Sequence, residues 1–240
     1  MVEPISVTPP HRVDRASMIQ RWTSAAFVHW RVEPDSVRRL IPDHLHVDVF
    51  DASAWVGLAP FEMWMRLPFA PPVPRLSRYP ETNVRTYVHD GSGRRGLWFF
   101  SLDVPRALAV VSARAALGLP YAWSRMSIGR RDGLIEYRTK RLAPNEGARS
   151  AVVVPTDGGV SDDSELASFL TARFRMFGTG PLGPYEIGVE HEPWPLRRVS
   201  GARVDDDLVR LADLDVGRRP NHVLVSDGVH VRVGFPHASR

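Results

Sequence analysis

The sequence contains no cysteine, which removes disulfides, thiolate metal ligands and a cysteine nucleophile together and fits a reducing compartment. Lysine is nearly absent. Lys140 stands alone, so the other fixed positive charges are arginines, and the net charge is only +4. These arginines are dispersed among acids and are not interleaved with aromatics, so no nucleic-acid partner is expected. No apolar run approaches the ~20 residues of a membrane-spanning helix. The first fifteen residues carry Pro4, Pro9 and Pro10 among charges and lack a hydrophobic leader. A cytoplasmic protein without membrane association is therefore expected. Nucleophile-elbow, phosphate-loop and HExxH signatures are missing, as are repeats and low-complexity tracts. Gly178-Thr179-Gly180-Pro181-Leu182-Gly183 mimics a dinucleotide fingerprint, but Pro181 and Pro184 forbid the helix that must follow it.

What is present describes an ordinary globular chain. At 43% hydrophobic and 24% charged residues, 240 residues can bury a sizeable core without cross-links. The expected organisation is a flexible N-terminal segment (1–19) followed by a single domain (20–240). Alternating and apolar runs predict strands over Trp22–Val32, Thr82–His89, Gly96–Asp103, 126–128, 134–140, 150–154, 185–191, 197–204, 223–225 and 229–233. His46–Phe50 and Ala54–Met65 read as a hairpin around Asp51-Ala52-Ser53. Helices are expected after Pro34, after Pro105 as far as Leu117, and over 163–176 and 206–214. Strands outnumber helices, so the fold class is α+β with mainly antiparallel β-structure. The proline-rich stretch from Leu67 to Pro80 is a stiff loop, either a pocket cover or a surface crossover.

One strand concentrates chemistry. Period-two alternation places Glu81, Asn83, Arg85, Tyr87 and His89 on one face and Thr82, Val84, Thr86 and Val88 on the other. If the hairpin folds symmetrically about Ser92, Asp103 opposes Glu81 and Ser101 opposes Asn83. Such a face can simply be wet, as in half-solvated sheets, and from the strand alone that is the simpler reading. The functional reading rests on residue types: paired carboxylates beside an amide and a guanidinium can tune a proton donor and hold an oxyanion. His29 reads first as a core histidine and is kept as a ligand contact. His44 and His46 lack a third metal ligand, and His191-Glu192 beside Pro193 is a second-choice contributor.

Several segments together resemble the YqjF-like family of uncharacterised bacterial proteins: Phe27-Val28-His29-Trp30, Trp55-Val56-Gly57-Leu58, Glu81 to Val88, Phe99 to Asp103, Gly118-Leu119-Pro120-Tyr121 and His191-Glu192-Pro193-Trp194-Pro195. The family looks like a branch of the acetoacetate decarboxylase-like superfamily. The resemblance implies a cone-shaped closed β-barrel with a few peripheral helices around an internal pocket. Tyr79-Pro80-Glu81 matches the superfamily's Tyr-x-Glu, which turns Glu81 inward, and Gly118-Leu119-Pro120 matches the motif leading to its Schiff-base lysine. Here Tyr121 occupies that lysine's place, so imine chemistry is not expected. Glu81, Arg85 and Tyr121 are then the catalytic candidates, and Asn83, Tyr87, Ser101, Asp103, Arg125 and His29 the substrate contacts. The implied partner is a small carbonyl or carboxylic acid compound, with no cofactor and no metal. The chain is then either a lyase or hydratase or a non-catalytic binder of hydrophobic acids. Homo-oligomerisation is left open.

Overall fold

A computed structural model describes residues 1–74 and 76–239. The elements run, in chain order, β1 (Met18–Val32), α1 (Pro34–Arg38), β2 (Leu45–Val47), β3 (Ala54–Arg66), β4 (Arg78–Asp90) and β5 (Arg95–Val104). They continue with α2 (Ala107–Leu117), β6 (Tyr121–Arg131), β7 (Leu134–Ala143), β8 (Arg149–Pro155), β9 (Val160–Ser161) and α3 (Glu165–Thr171). The chain ends with β10 (Arg175–Gly180), β11 (Gly183–His191), β12 (Leu196–Arg198), β13 (Arg203–Asp206) and β14 (His222–Ala238).

Seven strands close a ring in the order β5-β10-β11-β14-β1-β3-β4, and the β4–β5 pairing seals it. The β5–β10 contact is parallel and the rest of the ring antiparallel, so the barrel is mixed. Beyond Leu102 the free edge of β5 pairs instead with β6, in parallel, and starts a side sheet of β6, β7, β8 and β13. That side sheet folds over the outside of β1, β3 and β4. Val28, Trp30, Val56, Leu58, Val84 and Val88 pack there against Tyr137, Val152 and Val154. The central barrel strands are thus covered on both faces, which is why β1 reads as a continuous apolar run from Ala25 to Val28 rather than as an alternation. The barrel stands as the resemblance implied.

Several local expectations change. β2 pairs with β4, Val47 opposite Val88, and of the hairpin expected with β3 only the tight turn forms, with Asp51 and Ala52 at positive φ and Phe50 bridged to Ser53. The helix expected over 163–176 stops at Thr171. Residues 175–180 then form β10, and the glycine cluster is the β10–β11 turn. At 206–214 only a short 3-10 turn forms, over Arg210–Ala212. The expected strands 223–225 and 229–233 are one strand, β14.

The N-terminal segment, expected to be loose, is tied to the barrel by charge. Glu3 accepts from the Arg95 backbone N–H (3.0 Å) and pairs with Arg175 (2.7 Å), and Glu190 accepts from the Val13 N–H (2.8 Å). No helix among the described residues is long and apolar enough to cross a membrane.

Candidate functional site

The barrel encloses a cavity of about 260 Å³. α2 covers one end with Ala109, Ala113 and Leu117, where alanines let the helix approach closely. Gly118 ends α2 at φ +65°, and the chain returns through Leu119 to Tyr121, both of which line the cavity. The walls are largely apolar, with Trp22, Phe27, Phe61, Met63, Phe99 and Trp194 among them. The proline-rich stretch divides: residues 67–74, 76 and 77 contribute nothing to the lining, whereas residues 78–80, expected as loop, already belong to β4, from which Tyr79 lines the cavity; Arg75 lies outside the described residues.

β4 carries a row of polar side chains in the wall, joined from other elements by Gln20, Tyr121, Thr171, Arg173, Arg175 and His191. Glu81, Asn83 and Arg85 face inward while Thr82, Val84 and Thr86 face the side sheet, and all six are at most 7% exposed. The polar face is therefore not solvated. Each inward residue leaves one atom without a hydrogen-bond partner: Glu81 Oε2, Asn83 Oδ1 and Arg85 Nε. Burial, and then the charge of Asp103, push the Glu81 carboxyl from 4.5 up to about 8. It is a neutral acid at pH 7. Tyr121 and Tyr79 are likewise held protonated, mainly by burial.

At the Arg85 end, α3 closes the barrel and presents its last carbonyls, which lack helical partners. Arg85 Nη2 donates to Leu170 O (3.2 Å), and Arg173 Nε donates to Phe169 O (2.8 Å). Tyr87 Oη also donates to Leu170 O (2.9 Å), which leaves it to accept from His29 Nε2 (2.8 Å). Arg173 pairs with Asp48 (2.6 Å), and so does Arg95 (2.7 Å). Arg85 has no carboxylate partner among the described residues and lies over the faces of Phe27 (5.3 Å) and Tyr87 (6.0 Å). His191 lines the cavity, kept neutral chiefly by burial.

The candidates therefore separate. Glu81, Asn83, Arg85 and Tyr121 share the cavity. Tyr87 and His29 are buried just outside it, beneath α3. Ser101 and Asp103 were expected across from Asn83 and Glu81. A bulge between Val84 and Arg85 shifts the register, so Thr82 opposes Asp103 and Val84 opposes Ser101. This turns Leu102 and Val104 into the cavity and Asp103 away from it. There Asp103 accepts from Arg141 (2.9 Å) and Ser124 (2.6 Å), behind the wall that carries Glu81. Arg125 is exposed on β6, whose buried residues are Ala122 and Ser124, and so does not reach the pocket. Lys140 is also exposed, so the cavity holds no primary amine. The sequence reading passed over Arg173 and Arg175 because it placed them at the end of a helix, and over Arg141 because nothing local marks it. The repeated Arg-x-Arg of 173–175, at strand period, was the available signal.

A family described as an uncharacterized conserved protein matches residues 19–230. The uncharacterized protein YqjF of Bacillus subtilis (strain 168) is 34% identical over 182 residues, 75% of each chain. Among solved structures, acetoacetate decarboxylase from Legionella pneumophila aligns over 96% of this chain and 90% of its own, with TM-score 0.69 at 10% identity. An acetoacetate decarboxylase-like enzyme from Sphingomonas wittichii RW1 aligns over 96% and 97%, with TM-score 0.63 at 13% identity. The enduracididine biosynthesis enzyme MppR, complexed with the condensation product of pyruvate and imidazole 4-carboxaldehyde, aligns over 95% and 91%, with TM-score 0.66 at 12% identity. At such identities the structural likeness speaks for the fold alone, whereas the sequence matches speak for kinship. The chain belongs to the YqjF-like family of uncharacterized conserved proteins, built on an acetoacetate decarboxylase-like barrel.

Proposed function

We propose that this barrel binds a small carbonyl or carboxylic acid compound and acts on it by acid–base chemistry, as a lyase or hydratase does, without a lysine imine. Glu81 carries the proposal, because it is a buried carboxyl that stays protonated near pH 7 and has an unpaired oxygen in an apolar cavity. A protonated carboxyl delivers its proton to a substrate oxygen as negative charge develops there. Tyr121 and the Asn83 amide, which line the same cavity, would donate to a carbonyl there, and Arg85, four residues along β4, would meet an anionic group at the far end of a longer substrate. Imine chemistry has no support, since the only lysine is exposed outside the barrel.

The test needs no substrate. Difference infrared spectroscopy of the protein at pH 7 against its Glu81→Gln variant should reveal a protonated carboxylic C=O band that disappears only above about pH 8. A carboxylate signature at pH 7 instead defeats the acid role. Incubation with a panel of keto, hydroxy and unsaturated acids, followed by NMR, then reads turnover. Glu81→Gln should slow it by at least ~100-fold, the usual worth of a positioned acid. A second reading, capture without reaction, is favoured by the mostly apolar lining, and holds if a bound acid is recovered chemically unchanged.

A further inference from the structure

The unpaired atoms on β4 form a row. Glu81, Asn83 and Arg85 occupy alternate positions of one strand, so Glu81 and Arg85 lie about 13 Å apart along it. All three are more than nine-tenths buried and all three line the cavity. A buried polar atom without a partner calls for an explanation, and three in line call for one ligand that runs past them. The two ends differ in charge. At the Glu81 end stand a carboxyl and the phenols of Tyr79 and Tyr121. At the other end are the guanidiniums of Arg85, Arg173, Arg175 and, behind them, Arg95, against the two carboxylates Asp48 and Glu3. Asp48 is shared by Arg173 and Arg95 and Glu3 pairs with Arg175, so Arg85 is the guanidinium of this group with no ion pair among the described residues.

We infer that the ligand is a medium-chain amphiphilic carboxylate, lying along β4 with its anionic head at Arg85, an apolar body against Phe27, Phe61 and Phe99, and a polar function at Glu81. This rests on reading the cavity as the ligand site. A short keto acid cannot do the same. Its carboxylate and carbonyl carbons are two bonds apart, about 2.4 Å, so it reaches one pole or the other but not both. An extended chain covers about 11 Å in roughly nine bonds, the scale of the separation along β4. A cavity of about 260 Å³ holds roughly nine heavy atoms at the ~30 Å³ that each water occupies in the liquid, the count of a seven-carbon acid with its two carboxylate oxygens. The head desolvates on entry, and a guanidinium already stripped of water and held by Leu170 O meets it at little further cost.

Calorimetric titration of the full chain with butanoate, hexanoate, octanoate and decanoate at fixed ionic strength tests this. Affinity should rise at least ~100-fold from butanoate to octanoate, as each buried methylene adds its share. Octanol, titrated into the unaltered protein, should bind at least ~10-fold more weakly than octanoate, and octanoate should weaken by a similar factor in Arg85→Gln. Butanoate binding as well as octanoate, or octanol matching octanoate, overturns the inference; the octanol comparison does not depend on the variant folding. A chain-length series that holds while Glu81 proves ionised at pH 7 keeps this inference and discards the acid role, and the converse result separates them the other way.

Discussion

At the scale of single residues, the buried carboxyl of Glu81 costs stability as pH rises. Its folded-state carboxyl sits near 8 against the ordinary 4.5, so between those pH values the folded chain holds a proton that the unfolded chain has released. Stability from this group is intact below pH 4.5 and is lost progressively as pH rises to about 8. Glutamine has no such titration. Urea denaturation of wild type and Glu81→Gln at pH 5 and pH 8 should therefore show the difference between them moving in favour of Glu81→Gln by a few kcal/mol at the higher pH. A difference that stays constant across that range contradicts the raised pKa. Glu81 was legible as a candidate because strand alternation and the Tyr-x-Glu match both single it out. Asp103 was legible as a partner but not in its true place. The bulge after Val84 depends on how β5 must meet β6 and β10 at once, which no local signal records.

At the scale of elements, α2 is held against the barrel through its C-terminal turn. Gly118 takes φ +65°, and a Cβ there would lie 2.3 Å from Thr179 O on β10, too close for any contact. Tyr185 Oη donates to Leu117 O (2.8 Å) at the same corner. Gly118→Ala must strain the backbone and push the helix away from the cavity, at a cost of about 2–4 kcal/mol, read by urea denaturation. Gly129→Ala, on β6 with nothing within 4 Å of the added methyl, serves as control and should stay within about 0.5 kcal/mol. Loss of stability in both variants alike refutes the specific role of Gly118. The start of α2 after Pro105 and its end at Gly118 were readable, since cap and breaker signals are local. The truncation of α3 was not: a helical pattern through residue 176 is overridden because β10 must complete the ring.

At the scale of the whole molecule, closure ties the chain ends together. β14 pairs with β1, β11 and β12, so residues 18–29 and 222–233 lie side by side. Removing any ring strand opens two edges and bares the cavity wall. We therefore expect residues 20–240 to unfold as one unit. Far-ultraviolet circular dichroism and tryptophan fluorescence should give coincident urea transitions; separated midpoints would show that the side sheet melts independently. The ring, being non-local, is invisible to periodicity and entered the reading of the sequence only through family resemblance.

The amino-acid sequence by itself determined which residues can alternate across a strand, where α2 starts and ends, and that Tyr121 rather than a lysine follows Gly118-Leu119-Pro120. Those outcomes follow from side-chain identity and local backbone preference. Only the tertiary structure decided that both faces of β4 are dry, that Asp103 lies behind the wall while Arg85 has no carboxylate partner among the described residues, and that Arg125 and Lys140 are outside. Burial and pairing depend on what strands distant in sequence bring alongside. A carboxyl becomes an acid at neutral pH only after the closed ring has removed the water around it.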